Sequence, residues 1–203
     1  MKELHTSKPL LLGIIGLPGA GKTHFASEFS VMFGAPLVEL DLLGRTVFGT
    51  GRVTKEHEEG IKRLFWHLAQ EQSKAKRTFI LDGLLNTYAG RSEARALAKK
   101  AGYDVLLLWV QTSEAVARDR ATKPKRGASN TILTSQAFDH AVKGFEPPRA
   151  TEEHVVLSGQ RTFTSQVRPI LTRLAEAHES QLQPPKPNVR PPERPQRRNI
   201  FIR

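Results

Sequence analysis

The chain is organised around residues 9–23, Pro9-Leu10-Leu11-Leu12-Gly13-Ile14-Ile15-Gly16-Leu17-Pro18-Gly19-Ala20-Gly21-Lys22-Thr23. An apolar run of strand length ends here in the pattern G-x-x-x-x-G-K-[ST]. Gly16, Gly19 and Gly21, with the backbone of Ala20, let successive N–H groups turn inward around phosphate oxygens. Lys22 has the reach to meet the β and γ phosphates, and the Thr23 hydroxyl is a ligand for Mg²⁺. A helix expected over Lys22–Phe33 adds the positive end of its dipole, and His24 in its first turn joins the candidate nucleotide-binding set. This strand, loop and helix read as a site for a nucleoside triphosphate with Mg²⁺.

Working outward, strand-length runs recur at Pro36–Leu40, Arg77–Leu81, Tyr103–Val110 and His154–Leu157. The first two end at carboxylates, Asp41 and Asp82, and Tyr103–Val110 is apolar enough for an interior strand. Between them Ile61, Leu64, Phe65 and Leu68 fall at helical spacing. Further helices are expected before Tyr103, bracketed by Ser92 and Gly102 as caps, over Ser113–Arg120, and around Val167–Leu174. Strands alternating with helices predict parallel pairing and right-handed crossovers. The fold class is therefore α/β, a three-layer α/β/α sandwich on a parallel sheet of about five strands.

With 203 residues the chain has the length of one ordinary domain. It contains no cysteine, which excludes disulfide scaffolds, thiolate metal sites and thiol catalysis. Its apolar share is 38 %, and the deficit lies mainly at the ends. The net charge is +11, of which residues 184–203 carry +5. Six prolines and few apolar residues in that segment predict an extended basic tail. The expected organisation is an N-terminal extension over 1–8, a nucleotide-binding domain over 9–183 with a polar lid at about 121–134, and the tail at 184–203. No apolar run reaches the length of a membrane span, so a soluble, cytoplasmic protein is expected. The guanine-reading N-K-x-D motif is missing, and Asp82 is followed by Gly83, Leu84 and Leu85 rather than a D-x-x-G switch, which favours adenine.

The stretches GLPGAGKT, ELDLLGRTVFG, FILDGLLN, LLLWVQTSEAVARDR and KGFEPPRATEEHVVLSG, in this order over residues 10–176, resemble the small P-loop kinases that include polynucleotide kinase, the zeta-toxin kinases and chloramphenicol phosphotransferase, grouped with AAA_33-type ATP-binding proteins. The resemblance implies an ATP- and Mg²⁺-dependent kinase acting on a hydroxyl of a small molecule or of a nucleic-acid end. It makes Asp41 the base that deprotonates the acceptor and Asp82 the acid that serves Mg²⁺ beside Thr23. It also places a lid at Arg118, Arg120 and Arg126, with Arg118 on the nucleotide and Arg120 and Arg126 on the transferring phosphate. The group's usual arginine stands two or three residues after the acid, whereas here Gly44 and Arg45 follow. Arg45, and more weakly Arg91, are the candidates for holding the acceptor.

Each of these residues has a plainer reading. Asp41 could cap a helix, Asp82 with Gly83 could form a turn, and the lid arginines could complement a helix dipole. Trp66 and Trp109 read as core, and Phe145-Glu146-Pro147-Pro148 as a structural turn. A second function class is a nucleotide-dependent interaction protein whose tail engages a partner. Charge permits nucleic acid as a partner of the tail without favouring it. The acceptor is not legible, because its selection would fall to loops at 42–60 and 84–95.

Overall fold

The computed structural model describes residues 8–49, 54–123 and 132–182. Arg126, most of the expected lid and the expected basic tail lie outside the described residues. The first strand, β1 (Leu10–Ile15), is buried along its whole length and leads through the glycine loop to α1 (Lys22–Phe33). A short β2 (Leu37–Glu39) passes straight into α2 (Leu40–Phe48), and α3 (Lys55–Lys74) follows. The remaining elements are β3 (Phe79–Asp82), α4 (Tyr88–Ala101), β4 (Asp104–Gln111), α5 (Glu114–Thr122), α6 (Ser135–Lys143), β5 (His154–Ser158) and α7 (Phe163–Leu182).

All strand pairs are parallel, in the order β2-β3-β1-β4-β5. From β1 the chain crosses to the edge strand β2, comes back to lay β3 between them, and then passes β1 to add β4 and β5 on the other side. The strand order therefore reverses at β1, which puts the crevice beyond its carboxyl end at the switch point of the sheet, where open α/β folds take ligands.

Alternation along the strands divides the core into two layers. Leu10, Leu12 and Ile14 face Phe25, Phe29 and Phe33 of α1 and Val167 and Ile170 of α7. Leu11 and Ile15 face the other way, onto Phe65 and Ala69 of α3 and Ala94 and Ala98 of α4. Phe25, Phe29, Phe65 and Phe79 are fully buried, each contributing roughly 1.5–3 kcal/mol of hydrophobic stabilisation. Trp66 and Trp109 pack partly buried against the second layer. A small third cluster of Ala117, Ala121 and Phe138 joins α5 to α6.

Two local expectations are corrected, and one further helix is present. Residues 42–48 are helical rather than loop, because Leu40 and Leu43 fall on one face and pack onto the second layer. The helix before β4 starts at Tyr88, capped by the Thr87 hydroxyl, which accepts the Gly90 N–H at 3.3 Å, so Ser92 lies within it. Ser135–Lys143, in the span after the lid, forms α6, where the Thr134 hydroxyl accepts the Ala137 N–H at 3.1 Å. No helix among the described residues is long and apolar enough to cross a membrane.

Candidate phosphate-binding site

Two glycines of the loop are required by the backbone around them. Gly16 holds φ at +143° with the Val110 carbonyl oxygen 2.3 Å from where a Cβ would stand. Gly19 holds φ at +78° with the Ala117 carbonyl oxygen 2.1 Å from the corresponding point. The loop is thus pressed against β4 and α5 at both positions. Gly21, in the left-handed region, precedes α1 without any side-chain cap, and the first turn of α1 carries no acidic residue. The N–H groups that begin a helix are consequently left for a ligand, together with the positive end of the dipole.

Lys22 Nζ donates to the Leu17 carbonyl at 3.0 Å, folding the amine over the loop. Burial lowers its pKa, and the charges of Asp82 and Asp41 oppose that shift. The Thr23 hydroxyl donates to Asp82 Oδ2 at 2.6 Å. Asp82 closes β3, and burial raises its pKa against the Thr23 hydrogen bond and the Lys22 charge, with Asp41 raising it further. Asp41 lies exposed in the first turn of α2. The residue capping that helix is Glu39, so the cap role considered for Asp41 is not the one it holds.

Glu39 was not among the sequence candidates. It stands opposite Asp82 in the β2–β3 register and is buried. Burial raises its pKa, as do the neighbouring Asp82 and Asp41, while Arg45 lowers it. Arg45 Nη2 donates to Glu39 Oε1 at 3.2 Å. The only sequence signal for Glu39 was its position two residues before Asp41 at the end of an apolar run. The crevice thus combines one buried amine, a hydroxyl–carboxylate pair and two further carboxylates around a cradle of N–H groups.

Other predicted residues stand elsewhere. His24 points along α1, with Nε2 3.4 Å from Glu28 Oε1, and is largely exposed. Arg118 bonds Glu114 at 2.9 Å and Asp139 at 2.7 Å and lies over the Phe138 ring at 4.6 Å, clasping α5 to α6. Arg120 Nη1 donates to the Gly159 carbonyl at 2.9 Å. Gly159 in turn packs flush on the Ala20 carbonyl, where a Cβ would come within 2.1 Å. Arg120 therefore ties α5 to the residue that packs on the loop at Ala20.

The expectation that Arg91 holds an acceptor is corrected. Arg91 is 1 % exposed, and its donors go to Glu152 Oε1 at 2.9 Å, Glu152 Oε2 at 3.0 Å, Leu85 O at 3.2 Å, Glu146 O at 2.8 Å and Pro147 O at 3.3 Å. Five N–H groups are all that a guanidinium has, so none is left for a substrate. Burial alone would raise the Glu152 pKa, but hydrogen bonds from Arg91, the Arg149 backbone and Arg95 outweigh it and hold the carboxyl at about 2. Residues 145–148, expected as a turn, run without regular structure and pack on α4: Glu146 also accepts the Tyr88 N–H, and the Arg149 guanidinium lies 3.6 Å from the Tyr88 ring centre. A cavity of about 510 Å³ lined by Lys8, Arg95, Tyr103, Asp104 and Glu152 lies at the opposite end of the sheet, where β4 begins.

A family model described as an AAA domain (AAA_33) matches residues 11–148. The chain belongs to this AAA domain family. Among solved structures, this family member is similar to a sugar kinase from Janibacter sp. HTCC2649, with a TM-score of 0.59 at 17 % identity over 84 % of this chain and 97 % of the other. It is also similar to a gluconokinase from Sinorhizobium meliloti 1021, with a TM-score of 0.62 at 16 % identity over 89 % and 100 %. No curated protein matches the sequence. The AAA domain chain thus has the fold of a small P-loop kinase, covering nearly the whole length of these neighbours.

Proposed function

We propose that the chain is a P-loop phosphotransferase that moves the γ-phosphoryl group of ATP to a hydroxyl of a small molecule. The observation that carries this reading is the Thr23–Asp82 pair beside Lys22 at the end of the glycine loop, with Asp41 exposed in the first turn of α2 and its charge acting on both Lys22 and Asp82. A triphosphate fits the residues present, because the N–H groups that begin α1 have no side-chain cap and no acidic residue in the first turn.

Lys22 would exchange its bond to the Leu17 carbonyl for phosphate oxygens, its buried amine gaining an anionic partner. Thr23 and Asp82 form the hydroxyl–carboxylate pair suited to Mg²⁺, a hard cation that takes oxygen ligands. Mg²⁺ would supply charge neutralisation at the transferring phosphate. Asp41 would accept the proton of the acceptor hydroxyl as its oxygen bonds phosphorus and the bond to the bridging oxygen of ADP breaks. Arg45, on the same helix as Asp41 and held by Glu39, would help to hold the acceptor. The sugar kinase and the gluconokinase of similar fold support a small polyhydroxylated acceptor.

Incubation with panels of sugars, sugar acids, nucleosides and 5′-hydroxyl oligonucleotides, read by mass for the gain of one phosphate, identifies the acceptor. With it in hand, Asp41→Asn lowers kcat by about 10²–10⁴-fold while leaving ATP affinity nearly unchanged, as expected for loss of a general base. Transfer retained at the wild-type rate would remove Asp41 from the mechanism.

A further inference from the structure

Where β3 stops pairing with β1, an amide side chain continues the ladder. The parallel register runs from Leu11 opposite Phe79 to Ile14 opposite Asp82. Beyond Asp82 the chain turns away through Gly83 at φ 144° and Leu84 at φ 60°. Asn86 then reaches back: the Gly16 N–H donates to Asn86 Oδ1 at 3.0 Å, and Asn86 Nδ2 donates to the Gly16 carbonyl at 3.0 Å. The two bonds fix the orientation of the amide, because the flipped form would oppose donor to donor and acceptor to acceptor. Only an amide offers one donor and one acceptor so spaced; a carboxylate offers acceptors alone and alanine neither.

Gly16 is thus gripped from both sides, by Asn86 and by the Val110 carbonyl that crowds its α-carbon. Asn86 also ties this point to Glu146 and to the start of α4. Its own carbonyl accepts the Glu146 N–H at 2.9 Å, and the next residue, Thr87, caps α4. We propose that Asn86 is a positioning residue for triphosphate binding, holding the first peptide groups of the loop in the conformation in which the N–H groups converge. The proposal rests on the nucleotide-binding reading above. Asn86 itself need touch no phosphate.

The test uses the full chain as wild type, Asn86→Ala, Asn86→Asp and Lys22→Ala, titrated calorimetrically with ATP and Mg²⁺ and separately with inorganic tripolyphosphate, well below each variant's melting temperature. Wild type binds both, and Lys22→Ala abolishes binding. Asn86→Ala weakens both by about tenfold, the scale of one or two lost hydrogen bonds. Asn86→Asp weakens them at least as much, since it sets a charge against the Gly16 carbonyl. Equal weakening for the two probes places the defect at the phosphate loop. If Asn86→Ala does not fold, Asn86→Gln, with its amide one methylene too far out, is read in the same way. A Kd within about twofold of wild type, beside a Lys22→Ala that no longer binds, overturns the proposal even if the melting temperature falls. Absence of binding by the wild type overturns the nucleotide reading itself.

Discussion

At Gly19 an added methyl group meets the Ala117 carbonyl oxygen in a backbone region that L residues seldom enter, so Gly19→Ala must move either the loop or α5. The expected cost is about 1–3 kcal/mol of stability, measurable by urea denaturation, together with a loss of nucleotide affinity. Arg91 and Glu152 show the limit of residue-level reading. Arg91 is one of several exposed-looking arginines in the sequence, and nothing local reveals that its partner lies 61 residues away in a buried ion pair. Arg91→Met leaves the buried Glu152 short of its counter-charge and is expected to cost about 3–5 kcal/mol in denaturant titration, with a ligand affinity per folded molecule that is unchanged. The same pair predicts a pH dependence. Glu152 falls from an ordinary 4.5 to about 2 on folding, so its stabilisation is complete above the unfolded value. That stabilisation is lost as pH falls from about 4.5 through 2. Melting temperatures across this window should fall more steeply for wild type than for Glu152→Gln.

Among elements, the legible ones carry their signal within a few residues. The run Leu10–Ile15, the glycine loop and α1 can be read directly because strand burial, turn chemistry and helix start are all local there. The β2–α2 junction could not be read in the same way: Glu39 ends a strand and caps a helix at once, and Gly44 interrupts a short apolar pattern. Its Cβ position lies only 3.3 Å from Ile61 Cδ1, so the glycine that weakens the helix signal also lets α2 approach α3. The start of α4 is masked in the sequence for a related reason. Ser92 has the right chemistry for a cap, but Thr87 supplies it earlier, and Gly90 obscures the pattern between them. Thr87→Ala is therefore expected to lower stability by about 1 kcal/mol, while Ser92→Ala has a smaller effect, by thermal melting of the two variants.

For the molecule as a whole, parallel pairing follows from the alternation of strands and helices, and the reversal of strand order at β1 brings β1, β2 and β3 to one crevice. Their carboxyl ends deliver Thr23, Asp82, Glu39 and, one turn on, Asp41. The sequence could mark Asp41 and Asp82 as strand-end carboxylates, but only the register shows Glu39 standing beside Asp82. Because these residues all lie between positions 16 and 82, removal of residues 184–203 is expected to leave ATP affinity unchanged at moderate salt, as measured by titration of the shortened chain. The central claim is that the backbone from Gly16 to Thr23, completed by Lys22, holds a triphosphate. Calorimetric titration of ATP with Mg²⁺ into the full chain and into Lys22→Ala tests it most directly. Saturable binding to the wild type that disappears in the variant is the predicted result, and no binding by the wild type, or equal binding by both, would contradict it.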